Sequence, residues 1–253
     1  MAFEFKKPVN LAYLLFAEPW VYLTFGTLAA LFALSYFEES NIGTVYVAFL
    51  FVDFVAYAFL KPQYNFFSVT RNSLKAAGIA IAAYVIFYAV AGLLVGSLQA
   101  QAIGIPGSQS VALEDRIATA TLGSSSTIPI MSSGPVLAGL PLVTVVVFGV
   151  FIAIIETRFF TRVLEAIGQA TKISFSLRDW RTYAAIAFTS IVAVVFHFQA
   201  KGVTNDVDLL VTFAFFFLSM LIVVWTREIE SAGYLHMINN VAAVRHVIKG
   251  LTG

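Results

Sequence analysis

Leu235-His236-Met237-Ile238-Asn239-Asn240 places an imidazole and a carboxamide, His236 and Asn240, four residues apart in a largely apolar stretch. At that spacing both side chains fall on one face of a helix. Two hydrogen-bonding groups on one face call for a shared polar cavity. Working outward, the chain holds two more ionisable residues in apolar surroundings. Glu156 lies in Ile152-Ala153-Ile154-Ile155-Glu156-Thr157-Arg158-Phe159-Phe160-Thr161-Arg162, and His197 in Ser190-Ile191-Val192-Ala193-Val194-Val195-Phe196-His197-Phe198. A charge at the centre of a membrane helix costs roughly 2.5–3.5 kcal/mol on insertion scales, so such residues mark function by default.

Composition sets the class. Hydrophobic residues make up 60% of the 253, charged residues 11%, and mean hydropathy is +0.88. A soluble domain carries about 25% charged residues. Too little polar material is present to cover a globule, which predicts an all-α, polytopic integral membrane bundle. Lys+Arg 15 against Asp+Glu 14 gives no basic surface for nucleic acid. The absence of cysteine excludes disulfides, thiolate metal sites and a cysteine nucleophile. Lys6 and Lys7 precede an apolar run from Trp20 to Phe37 that ends at Glu38-Glu39 with no convincing small-x-small cleavage site, so it reads as a retained first span.

Crossing ~30 Å of hydrocarbon takes about 20 helical residues. Segments of that kind lie near 20–37, 42–60, 76–97, 136–157, 182–199 and 208–226, with a shorter, more polar seventh near 231–248. Six to seven spans are therefore expected in one integral membrane domain, 1–253. Three spans fill residues 1–97, an extracytoplasmic loop covers 98–135, and a helical core covers 136–248. Eleven basic residues (Lys6, Lys7, Lys61, Arg71, Lys75, Arg158, Arg162, Lys172, Arg178, Arg181, Arg227) fall on one side, against Arg116 and Lys201 on the other. The positive-inside rule places the N-terminus in the cytoplasm. The 98–135 loop is rich in Gly, Ser, Thr, Ala and Pro, with a short helix expected at Val111–Thr121; it is a lid, a partner contact or disordered chain. Phe159–Trp180 reads as a continuation of the fourth span followed by an interfacial piece, or as a solvated linker.

Each polar residue admits two readings. If its helix stops at the membrane face, Glu156 is a snorkelling carboxylate paired with Arg158 or Arg162. If the helix runs to about residue 166, Glu156 is buried and can accept a proton. His197 is either a neutral imidazole bonded to a backbone carbonyl or a functional group with a partner on another helix. His246, beside Arg245, is an interfacial residue. Asp53, a lone mid-span carboxylate, bonds a neighbouring helix or marks an ion path. Gly92-Leu93-Leu94-Val95-Gly96 has the small-xxx-small spacing of close helix contacts.

The three polar segments resemble the motifs of the CAAX-protease and bacteriocin-processing family (CPBP, also called ABI) of intramembrane proteases: EExxxR, FxxxH and HxxxN. Glu156 opens the first, His197 closes the second, and His236 with Asn240 forms the third, over roughly residues 136–248. Thr157 stands at the second glutamate, Thr161 at the arginine and Ala193 at the phenylalanine. The resemblance implies a glutamate-type endopeptidase needing neither metal nor cofactor. Glu156 and His197 would activate water, and His236 and Asn240 would form the oxyanion hole. Its partners would be membrane lipid and a membrane-associated peptide or protein substrate.

A second reading keeps the fold without the chemistry, as an accessory or structural subunit among partner membrane subunits. The substituted first motif favours it. A third takes His197 and His236 as haem ligands. At 1.5 Å per residue, counting from the cytoplasmic ends puts His197 deeper than Glu156 by roughly 5–10 Å. A catalytic pairing of the two requires that offset to close.

Overall fold

The computed structural model describes residues 67–68, 72–102, 112–122, 149–150, 152–201 and 203–252. They form six α-helices: α1 (Ser73–Ala102), α2 (Leu113–Leu122), α3 (Ile152–Thr171), α4 (Trp180–Lys201), α5 (Asp206–Thr226) and α6 (Glu230–Thr252). No strand occurs among the described residues; one parallel bridge joins Ser68 to Glu228. Among the described residues three helices are long and apolar enough to cross a membrane, Ser73–Ser97, Trp180–Phe198 and Asp206–Thr226. The expected total of six to seven is not established, because the segments near 20–37 and 42–60, with Asp53, lie outside the described residues. Residues 136–148 of the fourth segment lie outside them too.

Which residues face in and which face out explains why this is a membrane bundle. On α1 the buried positions are Ala76, Ala80, Ala83, Phe87, Ala91 and Val95, while Leu74, Ile81, Val85, Ile86 and Leu93 are exposed. On α4 the buried face carries Thr182, Thr189, Ser190 and His197, and the exposed face carries Phe188, Ile191, Val195 and Phe198. Water would reverse this arrangement. Lipid permits it, since tails are as apolar as the side chains they touch and small inner residues let helices approach closely. The inward hydroxyls are satisfied within α4: Thr189 donates to the Ala185 carbonyl at 2.9 Å and Ser190 to that of Ile186 at 2.8 Å. Close packing of α1 falls to its alanine stripe. The Gly92–Gly96 pair has no such role among the described residues: a Cβ on Gly96 would meet nothing within 4 Å.

α5 and α6 form the centre. Each contacts α1, α2 and α3, they contact each other, and α4 lies along α5. Their shared turn is pinned at the end where most exposed basic residues collect. α5 stops at Arg227, held in the left-handed conformation (φ 62°), whose N–H donates to Val223 O at 2.9 Å. That conformation costs a non-glycine residue roughly 1–2 kcal/mol; here the Arg227 guanidinium anchors it, donating to the carbonyls of Ser174 and Phe175. Ser68 N–H donates to Arg227 O at 2.8 Å and Ile229 N–H to Ser68 O at 3.0 Å. Phe175 returns under α3, its ring over Gly168, where a Cβ would come within 2.4 Å of it. Lys75, Lys172, Arg178, Arg181 and Arg227 are exposed at this end with Trp180, Tyr183 and Trp225, the pairing of basic and aromatic residues found at a membrane interface. Arg158 and Arg162, counted in the sequence among the charges on this side, are instead buried within α3.

α2 closes the opposite end, one residue off the expected span at its C-terminus. Its Ile117, Ala118, Ala120, Thr121 and Leu122 are buried. Polar contacts tie it to three helices: Tyr88 of α1 donates to Glu114 at 2.6 Å, Arg116 pairs with Asp208 of α5 at 3.3 Å, and His246 of α6 meets Asp115 at 2.7 Å. His246 is thus a tether.

Two outcomes test this packing. Ala80→Leu, forcing bulk into the stripe, should destabilise the detergent-solubilised chain by about 1–3 kcal/mol, read from thermal unfolding, while Leu93→Ala on the outer face leaves the midpoint unchanged. The hydroxyl of Tyr88 holds the Glu114 carboxyl below its ordinary range. A lowered folded-state value gives stability that is present above the unfolded value and lost as pH falls through the folded one. Hydrogen exchange over Leu113–Leu122 should therefore accelerate only on acidification below the usual carboxylate range, and at higher pH in Tyr88→Phe than in the parent.

Candidate functional site

α3 does not stop at residue 157. It runs to Thr171 and lies inside the protein, with Glu156, Thr157, Arg158, Thr161, Arg162 and Glu165 all buried. Glu156 is 1% exposed and its Oε2 lies 3.0 Å from His236 Nε2. The other imidazole nitrogen, Nδ1, shares a 2.9 Å hydrogen bond with Thr157 Oγ1. Two consecutive residues of α3 thus grip both nitrogens of one α6 histidine. In the neutral ring with its proton on Nε2, Nδ1 accepts from the Thr157 hydroxyl, and Nε2 faces the Glu156 carboxyl at ion-pair distance. A protonated ring donates on both sides. Thr161, one turn on, donates to the Thr157 carbonyl at 2.8 Å. Arg162, read from the sequence as a candidate partner of Glu156, pairs with Glu165, whose Oε1 also receives the Phe67 N–H at 3.4 Å.

His197 donates Nδ1–H to the Ala193 carbonyl at 2.8 Å, since a carbonyl only accepts. In the neutral ring this makes Nε2 the acceptor. The depth offset between α3 and α4 closes. His197 and His236 stand edge-on to the same ring, Phe216, with centroids 5.2 and 5.5 Å away. Phe160 packs on Phe216 at 4.5 Å and on Phe196 at 6.0 Å, binding α3 into the same level. The offset expected from counting fails because α3 and α4 reach different heights at the basic end, α3 continuing to Thr171 and α4 starting at Trp180. Phe216 lies midway along α5, about 15 Å of helix from either end.

A small cavity opens at this level, with His197, His236, Asn239, Thr121, Phe215 and Phe216 in its wall. Glu156 and Asn240 are not part of that wall. Glu156 reaches it through His236, and Asn240 is fully buried on α6. A haem would need ligating nitrogens directed at a common centre. Both nitrogens of His236 are already engaged, and the Phe216 ring lies against both imidazoles. No group of three or more His, Cys, Asp or Glu arranged for a metal occurs among the described residues. Two residues escaped the sequence reading. Thr157 was visible only as a departure from a motif. Asn239 is adjacent to a motif residue, and its i+3 spacing from His236 was the available signal.

This core can be compared with known proteins. Residues 138–242 match the family described as Type II CAAX prenyl endopeptidase Rce1-like. That is about two-fifths of the chain. The match takes in α3, α4, α5 and most of α6, and so every site residue discussed above except Phe67 and Thr121. It agrees with the CPBP resemblance of the three motifs. With three apolar helices, it makes the chain an integral membrane protein. No individual curated protein and no solved structure matches the chain.

Thr157→Val keeps shape and removes the hydroxyl, leaving His236 Nδ1 without it. A buried polar atom deprived of its partner costs about 1–3 kcal/mol. Thermal unfolding should show a loss of that size, whereas Thr157→Ser should retain most of the stability.

Proposed function

We propose that this chain is an intramembrane endopeptidase of the CAAX type, hydrolysing a peptide bond of a membrane-associated, prenylated substrate, and that Glu156 is its general base. The observation that carries the proposal is the buried Glu156–His236 contact, lying within the segment that matches the Rce1-like family. Water held between Glu156 and His197 Nε2 attacks the scissile carbonyl carbon while Glu156 takes the proton. The carbonyl electron pair moves to oxygen; with Glu156 now protonated, His236 Nε2–H is released from the carboxyl and, with the Asn240 amide, donates hydrogen bonds to that oxygen. When the tetrahedral intermediate collapses, the C–N bond breaks and the proton on Glu156 passes to the leaving amine. Oriented donors in a site closed to bulk water need no rearrangement as the charge develops, which is where electrostatic stabilisation is largest. Thr157 fixes the orientation of His236 and so replaces with a hydroxyl the support that the family motif supplies with a second carboxylate. The basic and aromatic end of the bundle faces the cytoplasm, as does the N-terminus.

The test is cleavage of a farnesylated CAAX peptide by the full chain in proteoliposomes. General acid–base groups contribute about 10²–10⁴-fold, so Glu156→Gln should lower kcat by that factor with an unchanged melting temperature. A chelator should leave the rate unchanged. If the folded wild-type chain cleaves nothing while Glu156→Gln preserves its cellular role, the non-catalytic subunit is the correct reading.

A further inference from the structure

Asn239 is a buried polar residue of the cavity that no motif claims. Its side chain is 1% exposed. Its Nδ2 donates to Thr121 Oγ1 at 2.8 Å, and Thr121 spends its own proton on the Ile117 carbonyl at 2.6 Å. Thr121 can therefore only accept from Asn239, which settles which end of the amide is nitrogen. The other end, Oδ1, is buried with no hydrogen-bond partner among the described residues. We propose that this oxygen accepts a backbone N–H of the bound peptide and so positions the substrate, an inference that rests on the protease reading above.

Three observations favour a peptide edge. First, an acceptor buried without a donor is a standing penalty that a ligand N–H removes. Second, two polar neighbours of Asn239 in the wall, Thr212 and His236, have partners already. Thr212 bonds to the carbonyls of Ala120 and Asp208, and His236 is held by Thr157 at Nδ1 and faces Glu156 at Nε2. Third, Phe87, Val211 and Phe215 make the remaining wall apolar, which suits a chain with one polar edge and apolar side chains. Asn239 lies three residues beyond His236, a rise of about 4.5 Å along α6. An extended chain advances 3.3–3.6 Å per residue. The N–H received by Asn239 therefore belongs within one or two residues of the carbonyl held at His236.

The experiment compares wild type and Asn239→Leu, in the full chain in proteoliposomes, on a farnesylated CAAX peptide and on analogues N-methylated at each amide in turn. Loss of one hydrogen bond is worth about tenfold, so Asn239→Leu should raise KM by that factor with kcat within about twofold. One N-methyl position should impose the same tenfold loss on wild type and no further loss on the variant. Binding of a non-cleavable farnesylated peptide is measured alongside. Should Asn239→Leu fail to fold, Asn239→Ser, whose shorter side chain withdraws the acceptor, takes its place. If wild type binds the peptide and every N-methyl analogue affects the two proteins equally, or if kcat falls while KM is unchanged, the role of Asn239 is overturned and the protease reading stands. A wild-type chain that neither binds nor cleaves the peptide overturns both.

Discussion

The structure depends on how a carboxylate can exist where Glu156 is. At 1% exposure in an apolar bundle, an isolated charge carries an effective penalty of several kcal/mol, and removing one partner of such a pair leaves the other stranded. Glu156 therefore fixes its surroundings: α6 must pass close enough for His236 to reach it, and α5 must fill the remaining side with apolar mass. Phe215 and Phe216 do so, with ring centroids 5.0 and 5.5 Å from His236. The same logic runs along α3, whose buried Glu156 and Glu165 are matched in number by buried Arg158 and Arg162. A helix with four charged residues inside a membrane protein is tolerable because it is neutral as a unit.

The second constraint is the solvent. With lipid outside, no hydrophobic gain comes from turning leucine or phenylalanine inward, so the interior is free to collect alanine, hydroxyls and the ionisable set. Threonine and serine on α4 satisfy themselves on their own helix. The groups that cannot, Glu156, His236 and Asn239, find partners across helices. Interhelical polar contacts therefore concentrate at the candidate site and at the two ends, where Arg227 and α2 hold the bundle together.

Helical character, the apolar segments at α1, α4 and α5, and the functional candidates were legible because they follow from composition and from the rarity of ionisable groups in apolar runs. The pairing was not. Sequence spacing puts residues on faces of a single helix; it says nothing of which face meets which, and so Glu156 was expected to work with His197, whereas the contact seen is with His236. The buried state of Arg158 and Arg162 was hidden for a related reason. A basic residue near a span end looks the same in sequence whether it anchors the interface or neutralises an acid one turn away. Asn239 was overlooked because its neighbour matched a motif, and a motif match directs attention to one residue of a pair.

The departures in the first motif form a coherent change when charge is counted. Glutamate at 157 and arginine at 161 would add one negative and one positive charge a turn apart; threonine at both positions adds none. Replacing only one would leave an uncompensated charge beside Glu156 and His236. The hydroxyl of Thr157 is short enough to lie against His236 Nδ1 without bringing a second carboxylate to the imidazole, and Thr161 secures the turn by bonding to the Thr157 carbonyl. A neutral pair in place of an ionic pair keeps His236 oriented while leaving Glu156 the carboxylate in contact with its Nε2. The substitution therefore keeps the imidazole oriented and adds no net charge to the buried core.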